Sequence, residues 1–107
     1  MNRCKSMHAC QLMSELGEAI SRGPASKGSA EAVAVIEQAC RVLRSGNASY
    51  KAPDYALARA HGHLRRLIGF GDLVLSDEAR EHWQELDAFV LGPAQEDLRG
   101  VGGAGVA

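Results

Sequence analysis

The sequence has few aromatic residues and no long apolar run. Its 107 residues include one Trp, two Tyr and two Phe, so the core must be built mainly from Leu, Val, Ile, Ala and Met. No stretch approaches the roughly eighteen apolar residues that span a membrane. Small cores with few aromatic residues are often completed by a partner subunit. We expect one small domain that does not enter the membrane.

The sequence also lacks a disulfide pattern and a secretion signal. Its cysteines, Cys4, Cys10 and Cys40, are odd in number, and no apolar segment near the N-terminus precedes a small-residue cleavage site. Both absences argue against a disulfide framework. We expect reduced thiols and a cytoplasmic protein.

The net charge of −1 conceals an uneven distribution. Residues 1–71 hold ten Lys or Arg against five Asp or Glu, whereas residues 72–107 hold two against eight. Such asymmetry is found in proteins that bind nucleic acid or a charged partner. Oppositely charged helices that pack together inside one fold produce the same counts. The charge pattern therefore leaves these interpretations open.

Apolar residues recur throughout at the three- and four-residue spacing of amphipathic helices. Segments rich in Gly, Pro and Ser separate four such patterns. The predicted helices span residues 6–22, 30–45, 53–68 and 77–91. The predicted fold class is all-α, a small bundle of about four short helices completed by homodimerisation.

Local signals mark the ends of these helices. Ser29 and Ser76 stand where N-caps of the second and fourth helices are expected, and Pro53 suits the first turn of the third. Residues 1–93 are predicted to form a single helical domain. Residues 94–107, rich in glycine and without periodicity, are predicted to be a flexible tail.

Histidine and cysteine residues raise the question of a metal or phosphoryl site. Cys4 and His8 share a helical face, but Cys10 points elsewhere. His61 and His63 are two residues apart, so they diverge by roughly 200° on a helix. The flanking residues also differ from the histidine box of sensor kinases. We predict no metal site and no cofactor.

Patterns typical of enzymes are also missing. The sequence contains no Gly-x-Ser-x-Gly elbow and no phosphate-binding glycine loop. Cys40 lies on the predicted core face of the second helix, where a nucleophile would not reach a substrate. We predict a non-enzymatic protein without catalytic residues.

The third predicted helix carries a basic stripe. Arg59, His63 and Arg66 follow one another at i, i+4 and i+7, and Arg65 lies beside them. Phosphate binding requires clustered cations, whereas the sequence pI is about 6.4 and the fourth helix is acidic. A nucleic-acid-binding regulator that uses this stripe is the alternative to a protein-binding one.

Protein association is the function that the remaining features favour. Tyr and Arg frequently anchor protein interfaces, and large side chains stand in or near the helix breaks. We predict a partner-binding surface around the third helix. Its residues are Tyr50, Tyr55, Arg59, Arg66 and Phe70.

A family resemblance adds a specific expectation. Residues 29–75, SAEAVAVIEQACRVLRSGNASYKAPDYALARAHGHLRRLIGFGDLVL, together with the chain length and helical layout, resemble the QslA family of small quorum-sensing anti-activators of Pseudomonas. The resemblance covers essentially the whole chain. It implies a helical homodimer that binds a LuxR-type (LasR-like) transcription activator and prevents it from dimerising or engaging DNA. It assigns no individual site residues.

Overall fold

The computed structural model of the protein describes residues 1–45 and 51–98. These residues form five α-helices and no strand, which confirms the predicted all-α fold. No helix within these ranges is both long and apolar enough to cross a membrane. The helices are α1 (Arg3–Arg22), α2 (Ser29–Arg44), α3 (Ala52–Gly69), α4 (Asp77–Leu91) and α5 (Gln95–Leu98).

The four long helices form a bundle in which α1 packs against both α2 and α4. At Gly17 of α1, a Cβ would lie 3.5 Å from Cγ2 of Ile36 on α2, an ordinary van der Waals distance. On the α4 side, the rings of His8 and Phe89 meet edge to face at 5.0 Å. The remaining long helix, α3, packs chiefly against α2 and only lightly against α4 and α5. One face of α3 is therefore left open to solvent.

The core is aliphatic, as the composition predicts. Of the aromatic residues, Phe89 is buried and Trp83 packs partly buried against the core. The largest fully buried apolar side chains are Met13, Leu16, Leu43, Leu57, Leu64 and Leu86. Since these side chains carry no groups that form strong hydrogen bonds, they contribute to the position of the helices through close packing.

The helix starts agree with the sequence prediction at α4 and differ at α2. Ser76 caps α4, and its side chain accepts a hydrogen bond from the backbone N–H of Ala79 at 3.1 Å. Helix α2 begins at Ser29 itself, after Gly28. The Ser29 hydroxyl accepts from the backbone N–H of Ser26 at 2.8 Å, so it stabilises the preceding turn. The prediction that Ser29 caps α2 is wrong.

Helix α5 lies in the segment 94–107, for which sequence analysis predicts a flexible tail. The structure describes this segment as far as Leu98. Ala94 and Leu98 are buried, and the side chain of Lys5 donates a hydrogen bond to Asp97 at 3.1 Å. This hydrogen bond is the main cause of the lowered pKa of Asp97. Burial and ion pairing thus fix the start of the segment against the bundle.

Gly62 stands in the middle of α3, and we expect Gly62→Ala to stabilise the protein. A Cβ at Gly62 would meet no atom within 4 Å, and Ala is favoured over Gly inside helices by about 0.5–1 kcal/mol. Urea unfolding followed by circular dichroism measures the increase. Gly28→Ala is the matched control, because its Cβ would lie 3.0 Å from the carbonyl oxygen of Asp72 and should destabilise. Equal effects of the two changes would contradict this account.

Candidate partner-binding groove

A groove of about 770 Å³ lies along α3. Helix α3 supplies most of its lining, and α2, the end of α4 and α5 supply the rest. The apolar lining consists of the ring of Tyr55 and of the aliphatic residues Val35, Ala39, Val42, Ala56, Ala58, Ala60, Val90, Leu91 and Leu98. The basic side chains of α3 add positive charge, so the groove is amphipathic.

Exposed apolar residues and bare backbone both occur in this groove. Leu91 is 59% exposed and Tyr55 is 46% exposed. Between the longer side chains of α3, the lining consists of the small residues Ala56, Ala58, Ala60 and Gly62, and a Cβ at Gly62 would meet no atom within 4 Å. Apolar surface that a monomer leaves exposed in a concave site is characteristic of interaction surfaces.

Three arginines of α3 line the groove and are exposed: Arg59, Arg65 and Arg66. Within the described part of the chain, none of them has a carboxylate within ion-pair distance. The acidic helix α4 pairs elsewhere; Glu78, for example, binds Arg22 of α1 at 2.5 Å. The charge pattern left open whether the basic and acidic helices pair with each other inside the fold. Among these residues, the three arginines of α3 form no ion pair with α4.

The two histidines of α3 contact different neighbouring helices. His61 is buried, its Nε2 lies 2.7 Å from Oδ1 of Asp87, and its ring stacks on Trp83 at 5.3 Å. His63 Nε2 lies 2.5 Å from Oε2 of Glu31. The first contact joins α3 to α4 and the second joins α3 to α2. The divergence that their spacing predicts is observed: both line the groove, but each contacts a different carboxylate on a different helix.

The structure brings together three of the five residues predicted from the sequence. Tyr55, Arg59 and Arg66 all line the groove. Phe70 follows the last residue of α3 and is 78% exposed, but it does not belong to the lining. Tyr50 lies outside the described residues.

Sequence analysis missed the part of the lining contributed by α2. Val35, Ala39 and Val42 have the i, i+4, i+7 spacing of an apolar line. This line runs beside the stripe of Ile36 and Leu43 that faces the core. The second apolar line on α2 is the sequence signal that would have indicated a further contact surface.

Among residues 1–45 and 51–98, one group of three side chains is of the types that bind metal ions. Ligand atoms of Glu15, His82 and Glu85 lie within 4.8 Å of one another. His82 Nδ1 is 3.2 Å from Oε1 of Glu85 and 3.8 Å from Oε1 of Glu15. The side chains are exposed or half-buried, and contacts between the imidazole and the carboxylates account for the arrangement without a cation. Cys4 is exposed and Cys10 is buried on another face of α1.

The thiols differ in exposure, and we expect Cys4 alone to react rapidly in the native protein at pH 8. Cys40 is buried, its thiol donates to the carbonyl oxygen of Cys10 at 3.5 Å, and burial raises the pKa of Cys40 to about 11. Because the thiolate is the reactive species, Cys40 should react only after unfolding. Absorbance with a disulfide reagent measures the rates. A fast phase that survives Cys4→Ser would contradict the prediction.

Comparisons with protein-family models, characterised proteins and solved structures find no match to this chain. An all-α bundle supports many unrelated functions, so function has to be argued from the site. The geometry and charge of the groove carry that argument.

Proposed function

We propose that the protein is a non-enzymatic regulator that acts by binding another protein through the groove along α3. The observation that carries the proposal is that Arg59, Arg65 and Arg66 stand without acidic partners, in the described part of the chain, beside apolar walls. A protein partner offers both carboxylates and apolar side chains to such a groove. Burial of Tyr55 and Leu91 would add a hydrophobic contribution to binding.

The resemblance to the QslA family extends the proposal to the target, a LuxR-type (LasR-like) quorum-sensing activator. An activator that works as a symmetric dimer exposes a self-complementary patch on its monomer. A competitor that covers this patch shifts the equilibrium by mass action. The regulator itself is proposed to be a cytoplasmic homodimer, and this inhibition requires no catalysis and no cofactor.

The direct test mixes the purified protein with a purified LasR-like activator. Analytical ultracentrifugation measures dimerisation of the activator, and fluorescence anisotropy measures its binding to promoter DNA. We expect Arg59→Glu combined with Arg66→Glu to weaken inhibition about tenfold or more, because each surface ion pair contributes up to roughly 1 kcal/mol and the reversal also introduces repulsion.

The matched control is Arg3→Glu combined with Arg80→Glu. Both arginines are exposed and lie outside the groove lining, and the change in net charge is the same. This control should inhibit like the native protein. Undiminished inhibition by the Arg59 and Arg66 double variant, with native circular dichroism and thermal unfolding, would refute a role for the groove.

The alternative is a nucleic-acid-binding regulator that uses the basic stripe of α3. The three arginines, which have no acidic partner in the part of the chain that the structure describes, favour it. The fourth member of the stripe, His63, is engaged with Glu31, and the pI is about 6.4. Phosphate binding weakens steeply with salt and needs no protein partner. Titration of labelled duplex DNA with the protein alone, at about 50 and 200 mM salt, tests this alternative. A salt-sensitive complex that the Arg59 and Arg66 variant loses would support it.

A further inference from the structure

We infer that the segment that occupies the groove is an amphipathic helix with acidic side chains, which lies along α3. This inference rests on the proposed function and specifies the chemistry of the partner. Three observations support it: the open face of α3, the apolar walls of the groove and the unpaired arginines.

The open face of α3 is suited to the close approach of another helix. Tyr55, Arg59, Gly62 and Arg66 follow one another at i, i+4, i+7 and i+11, so they form one line along the helix. Leu64, on the opposite side of the helix, is fully buried. The distance between packed helices depends on the side chains at the contact. The gap at Gly62, where a Cβ would touch nothing within 4 Å, allows an incoming side chain to reach the backbone of α3.

The walls of the groove match the apolar stripe of such a helix. Val35 and Val42 come from α2, Leu91 from α4 and Leu98 from α5. An amphipathic helix fills a groove of this kind with apolar anchors about one turn apart. A nucleic acid strand, by contrast, would place charged phosphates against these walls. For base stacking it would find Tyr55, whereas the imidazole rings of His61 and His63 in the lining are engaged with Asp87 and Glu31.

The arginines determine the charge of the partner. Arg59 and Arg66 are seven residues apart, which corresponds to about 10 Å along the helix axis. Two carboxylates seven residues apart on a partner helix have the same separation, and each would face one guanidinium group. Arg65 follows His61, which contacts Asp87 of α4, by four residues. It is exposed on that side of α3 and is available to a third acidic residue. Within the described residues no ion pair of these arginines has to be broken first.

A second copy of the chain is a less suitable occupant. Most of the large apolar residues of its acidic helix α4, including Leu86 and Val90, are buried in its own core. The exposed side of α4 presents Glu81, Gln84 and Glu85. Its exposed apolar residue Leu91 already lines the groove of its own chain, so α4 has no long apolar stripe to offer to a second copy. We therefore place the self-contact of the proposed homodimer on another surface.

The test uses the full chain and two labelled synthetic peptides of about sixteen residues, which is just above the length below which isolated helices are marginal. The first peptide has Leu at helical spacing with Glu on either side, and the second has Lys in place of every Glu. Fluorescence anisotropy at about 0.15 M salt measures both affinities. We expect the acidic peptide to bind at least about tenfold more tightly than the basic peptide.

The charge-reversed protein makes the test specific to the groove. With Arg59→Glu and Arg66→Glu, the order of the two peptide affinities should invert. With Arg3→Glu and Arg80→Glu, it should stay as in the native protein. The circular dichroism spectrum of each variant establishes that it is folded.

Several results would overturn the inference. The first is that the native protein binds both peptides equally. The second is that the Arg59 and Arg66 variant keeps the preference for the acidic peptide. The third is that the protein binds a labelled single-stranded oligonucleotide more tightly than the acidic peptide. Dimerisation of the chain that competes with the acidic peptide would also overturn it, because a second copy would then be the occupant. No activator is present in this assay. Failure of peptide binding therefore leaves the result of the inhibition experiment unaffected. Peptide binding in the absence of any inhibition of the activator would overturn the proposed function alone.

Discussion

Leu64→Ala is expected to lower the free energy of unfolding by about 2–5 kcal/mol. Leu64 is completely buried on the inner side of α3, so the truncation removes apolar contacts and leaves a cavity in a core built almost entirely of aliphatic side chains. Small domains are stable by only about 5–15 kcal/mol. The change therefore removes a large fraction of the stability that holds α3, and with it the groove, in place.

Urea unfolding measures this loss as a shift of the transition midpoint at a nearly constant slope. Arg65→Ala is the control, because Arg65 is the next residue and is exposed. Its effect should stay within about 0.5 kcal/mol. Similar losses for the two variants would mean that the inner side of α3 is not closely packed.

Asp54→Ala is expected to cost about 3 kcal/mol, the typical effect of breaking a buried ion pair. Asp54 is 1% exposed. Its Oδ1 lies 2.9 Å from the terminal amine of Met1, and its Oδ2 lies 3.6 Å from Nζ of Lys51. Neither oxygen accepts a well-oriented hydrogen bond among the described residues, so the neighbouring positive charges stabilise the carboxylate. Removal of the Asp54 carboxylate leaves the terminal amine of Met1 paired with Asp97, whose Oδ1 lies 3.6 Å away.

The control for this prediction is Asp77→Ala. Both aspartates occupy the first turn of a helix, where a negative charge is favourable, but Asp77 is exposed. Its loss should cost no more than about 1 kcal/mol. Thermal and urea unfolding compare the two variants, and Asp54→Asn separates the contribution of charge from that of shape. If both alanine variants cost the same, the buried position of Asp54 contributes nothing.

The sequence was sufficient to predict the long helices because each buries one continuous apolar stripe. The prediction of 77–91 coincides with α4, and that of 53–68 differs from α3 (Ala52–Gly69) by one residue at each end. Helix α5 was not predicted because four residues show no periodicity. It depends on burial of Leu98 and on the contact of Asp97 with Lys5, which is distant in sequence.

The groove was only partly predictable for a similar reason. Tyr55, Arg59 and Arg66 are evident from residue type and spacing on a single helix. The contributions of Val42 and Leu91 depend on how α2 and α4 pack around α3, and this packing is a property of the tertiary structure. Sequence reasoning therefore selected residues on the charged side of the groove and missed most of its apolar walls; a role of the groove in binding stays a prediction.

The absence of internal partners for the groove arginines, within the described residues, has a consequence for the rate of association. Positive charges that stand free attract a negatively charged surface before contact is made, which raises the association rate constant at low ionic strength. Among residues 1–45 and 51–98, no ion pair of these arginines has to dissociate before docking. Capture of a partner would then be limited by diffusion and orientation, and the lifetime of the complex would depend on the apolar walls.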